Sequence, residues 1–174
     1  MSGIIVRGTG RHFSSGADLD DLISPVRRED SNRDGGESAL FLENLRSFIF
    51  FEELRIPVIA AISGVCLGSG LELALFCHGR ICGSGSVLGL PETGFGLMPG
   101  CGGIQKINAI AGRSRALELI LSGASFTAEE ALKWNIIDAI VPKKAVVAAA
   151  VKLIKSIGDD YNRHGIKSYI SRFL

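Results

Sequence analysis

The sequence predicts an α/β protein with a mostly parallel, helix-covered sheet, and three observations carry that reading. Short apolar, β-branched runs alternate with stretches at helical spacing, the pattern of repeated strand–helix–strand units. The clearest strand candidate, Pro57-Val-Ile-Ala-Ala-Ile62, is apolar throughout, as strands buried on both faces are. Glycine is in excess, 22 of 174 residues against a usual share of roughly 7%. It has no triplet period and clusters at turns after strands.

Taken in order, Ile4-Ile5-Val6 reads as a buried strand between Gly3 and Gly8. A Gly/Ser loop to Gly16 follows, then at most a helical turn over Ala17–Ile23. Residues Ser24–Gly36 are polar with nearly cancelling charges and read as a mobile surface loop. Leu40, Phe41, Leu45, Phe48, Ile49 and Leu54 mark an amphipathic helix that ends before Pro57. After the strand Val58–Ile62, Ser63–Gly70 is a glycine-rich turn and Leu71–Cys77 a short helix. Arg80–Cys82 and Val87–Leu88 are short strands, and Pro91–Gly103 is a long loop. Helices follow at Ile104–Ala111 and Ser114–Leu121. Thr127-Ala-Glu-Glu130 is a capping box that opens another helix, ended by Asn135. Ile136–Val141 is a strand stopped by Pro142, and Lys144–Ile157 is the last helix.

Composition excludes several functions. Nineteen Lys and Arg against 18 Asp and Glu leave a net charge of +1, so no charge excess points to nucleic acid or an acidic membrane surface. No apolar stretch reaches the ~18 residues of a membrane helix, and Met1-Ser2-Gly3 leads straight into a strand, not a signal peptide. Cys66, Cys77, Cys82 and Cys101 form no C-x-x-C pair and read as reduced thiols of a cytoplasmic protein. No metal site is expected. Dinucleotide, P-loop, serine-hydrolase and zinc-protease motifs are all missing. His12 reads as a solvated loop residue and Trp134 as packing.

Two glutamates stand out. Glu72 lies within Leu71-Glu-Leu-Ala-Leu75, where a carboxylate is costly unless it is satisfied. Its place in a first helical turn also suits the helix dipole without any further role. Glu92 sits between Pro91 and Thr93-Gly94, where an exposed loop acid is the plain alternative. Two acids near glycine-rich loops fit acid–base work, because neighbouring carboxylates push their pKa values apart. The turns Ser15-Gly16-Ala17 and Gly68-Ser69-Gly70 each follow a strand and leave backbone N–H groups unpaired. Two such groups, one at a helix start, can stabilise an oxyanion. Read singly, each is also an ordinary tight turn.

Four segments together resemble the crotonase superfamily, the enoyl-CoA hydratase/isomerase family. They are Phe13-Ser-Ser-Gly-Ala-Asp-Leu19, Pro57–Gly64, Leu67-Gly-Ser-Gly-Leu-Glu-Leu-Ala74 and Leu88-Gly-Leu-Pro-Glu-Thr-Gly-Phe-Gly-Leu-Met-Pro-Gly-Cys-Gly-Gly103. Gly112-Arg-Ser-Arg-Ala, Leu121-Ser-Gly123 and Ala128–Asp138 match as well, so the likeness runs over about residues 4–157.

The resemblance implies a spiral of ββα units with short strands flanked by helices, in one crotonase-like domain over residues 1–174. It implies that the domain starts in the third strand of the usual fold and stops before its C-terminal helical arm. It implies an acyl-CoA thioester substrate, with coenzyme A entering as part of the substrate and no separate cofactor. A homotrimer or hexamer is the expected assembly. Ala17 and Ser69 match the amides that hold the thioester oxygen, with Gly16, Asp18 and Gly68 beside them. Glu72 and Glu92 match the catalytic pair, Glu92 as main acid–base group and Glu72 as its water-orienting partner. Gly100 matches a loop glycine beside the reacting carbons.

Two residues depart from the family pattern. Ser69 stands where glycine is usual, so its φ must suit a residue with a Cβ. Asp20 stands where a basic residue often meets the coenzyme phosphates. The reaction implied first is hydration of a 2-enoyl-CoA to a 3-hydroxyacyl-CoA. Isomerase, hydrolase or decarboxylase chemistry on the same scaffold, or a non-catalytic short paralogue, remain open.

Overall fold

The computed structural model describes residues 2–18 and 36–157. Within them the chain forms a four-stranded, wholly parallel sheet and a smaller three-stranded one. The first has the order β1 (Ile4–Val6), β2 (Val58–Ile62), β4 (Gly79–Gly83), β7 (Ala139–Val141), and the second β3 (Val65–Leu67), β5 (Val87–Gly89), β6 (Phe126–Thr127). In the smaller sheet β3 and β5 run parallel, and β6 joins antiparallel. The helices are α1 (Gly36–Glu53), α2 (Ser69–Phe76), α3 (Gly103–Ala111), α4 (Arg113–Ser122), α5 (Ala128–Lys133) and α6 (Val146–Ile157). The expected α/β class, with short strands flanked by helices, is what the chain adopts.

The unbroken apolar run of β2 is explained by its place. Val58, Ala60 and Ile62 face a core shared with Leu71, Leu75, Leu88, Ile107 and Ile120. Ile59 and Ala61 face the other way, onto Val146, Ala150 and Ile154 of α6. Alternate residues point to opposite faces of a strand, so both faces must be apolar. Arg80 enters this interior by spending its donors on carbonyls. Its Nε donates to Ile136 at 2.7 Å and one terminal nitrogen to Cys77 at 2.9 Å.

Four expectations are corrected. The Ser63–Gly70 turn contains the strand β3. Helix α2 starts at Ser69, two residues before Leu71. The strand expected over Ile136–Val141 is reduced to Ala139–Val141, because Ile136 and Ile137 instead close a turn, both amides donating to the Ala131 carbonyl. Asn135 makes that turn possible with a left-handed φ of 60°, which asparagine tolerates better than most residues. The long loop after Pro91 opens as a 3₁₀ turn, Pro91–Phe95. The capping box stands as read: Thr127 Oγ1 accepts from the Glu130 amide, and the Glu130 carboxylate accepts from the Thr127 amide. The stretch from Leu19 to Gly35, with Asp20, lies outside the described residues. Among the described residues no helix is long and apolar enough to cross a membrane.

Candidate active site

The smaller sheet brings the two glycine turns side by side. Ser14 bridges Cys66 in parallel fashion, the Phe13 and Ser14 amides donate to Val65 O, and Leu67 N donates back to Ser14 O. Three residues beyond that bridge lie Ala17 on one segment and Ser69 on the other. The approach is close. A Cβ on Gly68 would stand 3.7 Å from Gly16 Cα, and one on Gly70 would stand 2.5 Å from Ser14 Cβ.

Left-handed backbone falls on Gly16 (φ 104°) and Gly68 (φ 54°), whereas Ser69 has an ordinary negative φ. The serine is therefore unstrained at a position where glycine is usual. It is also the first residue of α2, whose opening amides have no acceptor within the helix. Gly68 caps α2 without any side-chain bond. Ala17 and Asp18 are exposed at the end of their segment.

Both glutamates reach this corner from different elements. Glu72 is in the first turn of α2 and 1% exposed. Its Oε1 accepts from the Cys101 and Gly103 amides, each at 2.8 Å. Burial holds its carboxyl above the ordinary value, while the Gly103, Cys101 and Gly100 amides pull it back. Gly103 has no room for a side chain, since a Cβ would lie 2.8 Å from Glu72 Oε1. Glu92 is half-buried on the 3₁₀ turn, not an exposed loop acid. Its Oε1 lies 3.2 Å from where a Cβ of Gly68 would be. Its Oε2 is buried without a hydrogen-bond partner. Burial raises its carboxyl as well; its own amide opposes this and the charge of Glu72 adds to it.

Cys101 went unnoticed as a site residue in the sequence. Burial and both glutamate charges push its thiol up to about 11, so it stays protonated at neutral pH. The doubled glycine after it was the available signal that the chain there packs against something. The other three thiols are buried with raised pKa values, which leaves them unreactive. Among the described residues no group of three or more His, Cys, Asp or Glu side chains could hold a metal ion. His12 is a backbone anchor: its Nδ1 accepts from Val65 N at 3.1 Å. Trp134 packs edge-on against Phe126 and beneath Arg115. A surface cleft of about 450 Å³ lies between Gly112 and Asn135 and contains neither glutamate.

Two backbone turns, one opening a helix, thus stand beside two carboxylates, both raised by burial, with the charge of Glu72 raising Glu92 further. The sequence model of the enoyl-CoA hydratase/isomerase family matches residues 1–166. This chain belongs to that family.

Relatives agree. The chain is 38% identical over 152 residues to a fatty acid oxidation complex subunit alpha of Shewanella loihica, covering 86% of this chain and 21% of that one. Among solved structures it resembles the enoyl-CoA hydratase of Bacillus anthracis, at 33% identity and TM-score 0.77, over 88% of this chain and 57% of the other. It also resembles DspI of Pseudomonas aeruginosa, at 29% identity and TM-score 0.80, over 97% and 60%. The chain thus spans about a fifth of the first relative's length and under two thirds of these two structures. The crotonase fold of this family accounts for the parallel sheet and the paired turns.

Proposed function

We propose that this chain processes acyl-CoA thioesters, and that its reaction is hydration of a 2-enoyl-CoA to the 3-hydroxyacyl-CoA. One observation carries the reading: two carboxylates, both raised by burial and Glu92 raised further by the charge of Glu72, converge beside the amide-bearing turns at Gly16–Ala17 and Gly68–Ser69. In this reading the thioester oxygen takes the Ala17 and Ser69 amides, with Gly16, Gly68 and Asp18 shaping the same wall. Negative charge developing on that oxygen is then met by fixed dipoles. Glu92 and Glu72 hold one water between them. Glu92, with a bonding site to spare, takes a proton from the water as the water oxygen bonds to the β-carbon, and the Glu72 carboxyl, kept protonated by its burial, gives its proton to the α-carbon. Glu72 orients the water, and Gly100 helps place its carboxylate. Coenzyme A enters as part of the substrate, and no resident cofactor takes part. Exposed Leu117 and Leu121 on α4 fit burial in a homotrimer or hexamer, and the reduced thiols fit the cytoplasm.

Isomerisation is the second reading. It is favoured by the clamping of Glu72 Oε1 on two amides, which leaves Glu92 to move a proton between two carbons alone. The test is the loss of the unsaturated-thioester absorbance of but-2-enoyl-CoA, with the product identified. Formation of 3-hydroxybutanoyl-CoA supports hydration. An unchanged 2-enoyl substrate, together with conversion of a 3-enoyl-CoA to the 2-enoyl isomer, replaces hydration with isomerisation.

A further inference from the structure

The turn that carries Glu92 is tied down from outside the site. The Thr93 hydroxyl donates to the Ile120 carbonyl at 2.9 Å. That carbonyl is among the last four of α4, which the helix leaves without a donor. Gly123, left-handed at the end of α4, presses on the same turn: a Cβ there would lie 2.8 Å from Thr93 Oγ1 and 3.5 Å from Gly94 N. On the site side, Glu92 faces Gly68 with one oxygen and leaves the other unpartnered. A single 3₁₀ turn containing Gly94 and closed by Gly96 has little stiffness of its own. Among the described residues, Thr93 gives this turn its one side-chain hydrogen bond to the rest of the fold.

We propose that Thr93 is a positioning residue for Glu92, fixing through Ile120 the direction in which the carboxylate enters the site. The proposal rests on the acid–base role given to Glu92 above. Thr93→Val keeps the side chain's shape and removes the donor; Thr93→Ser keeps the donor.

The experiment measures kcat and KM with but-2-enoyl-CoA, and the Glu92 carboxyl titration by carbon-13 NMR, in the wild type, both Thr93 variants and Glu92→Gln. Misplacing a reacting group by about an ångström costs up to ~10² in rate, so Thr93→Val should lower kcat roughly 10- to 100-fold with KM little changed. The Glu92 titration should move down towards an ordinary carboxyl as the loosened turn admits water, and Thr93→Ser should restore both. Gly123→Ala, which pushes on Thr93 from α4, should reproduce the kcat loss if Thr93→Val does not fold. Wild-type kcat and an unmoved titration in Thr93→Val overturn the proposal, as does equal damage from valine and serine. The titration is read on the free protein, so it decides the positioning role whichever substrate is turned over. A fully active Glu92→Gln removes the acid–base reading instead; an inactive Glu92→Gln beside a normal Thr93→Val removes only the positioning role.

Discussion

The first turn of α2 and the 3₁₀ turn at Pro91–Phe95 each bring a carboxylate to the same corner, built in opposite ways. Glu72 is almost fully buried and bonded to two amides from the Cys101–Gly103 turn. Glu92 is half-buried, with one oxygen bonded to nothing in the protein. Burying a carboxylate costs several kcal/mol unless hydrogen bonds replace water, so the two amides that replace water at Glu72 give it a structural part in the fold. It ties α2 to the loop that opens α3. Glu92 gives the fold little, and its unpartnered oxygen is the feature that a folding requirement leaves unexplained. A satisfied carboxylate fixes geometry; the one with bonding capacity to spare is the one that the proposed reaction uses as its acid–base group.

Removing each carboxylate should expose that difference most strongly. Glu92→Gln should lower the hydration rate by ~10²–10⁴ with no loss of melting temperature. Glu72→Gln should lower the rate within the same range and also shift the melting temperature. Next in size are the amides. Proline suits the first position of a helix and has no N–H, so Ser69→Pro should cost ~10²–10³ in kcat. Ser69→Gly should stay near wild type, because the hydroxyl is not used. Equal damage from both would move the role to the side chain. Gly103→Ala drives a Cβ against Glu72 and should destabilise by about 1–3 kcal/mol, as overpacking does, measured by denaturant unfolding.

The smallest expected effect is on stability against pH. The Glu72 carboxyl titrates higher in the folded chain than its ordinary 4.5, so the folded state holds that proton more tightly than the unfolded state. This contribution is complete below the unfolded value and is lost as pH rises through the folded one. Glu72→Gln removes the dependence. The variant should melt above the wild type at neutral pH, and the difference should vanish below about pH 4. A constant difference across that window would mean that burial does not raise this carboxyl.

Much of this was legible in the sequence where the cause is local. The Thr127–Glu130 capping box and the apolar run of β2 are written in adjacent residues. Glu72 was conspicuous because a charge inside Leu71–Leu75 has to be explained. Non-local features were not legible. Strand β3 is three residues between glycines and exists through partners at Ser14 and Val87–Gly89. The clamp on Glu72 comes from amides about thirty residues away, and an amide carries no side-chain signature. Ile136 and Ile137 look like a strand, but the left-handed Asn135 before them and a shared acceptor at Ala131 make them the buried floor of a turn.

In the proposed reaction the two carboxylates act as a unit on one water. The direct test is the hydration rate of but-2-enoyl-CoA by wild type, Glu72→Gln, Glu92→Gln and the double variant. Groups that act together give non-additive losses. The double variant should therefore be about as slow as the slower single variant. A double variant whose loss equals the product of the two single losses would contradict the shared water, and single variants at wild-type rates beside an active parent would remove the glutamates from the chemistry.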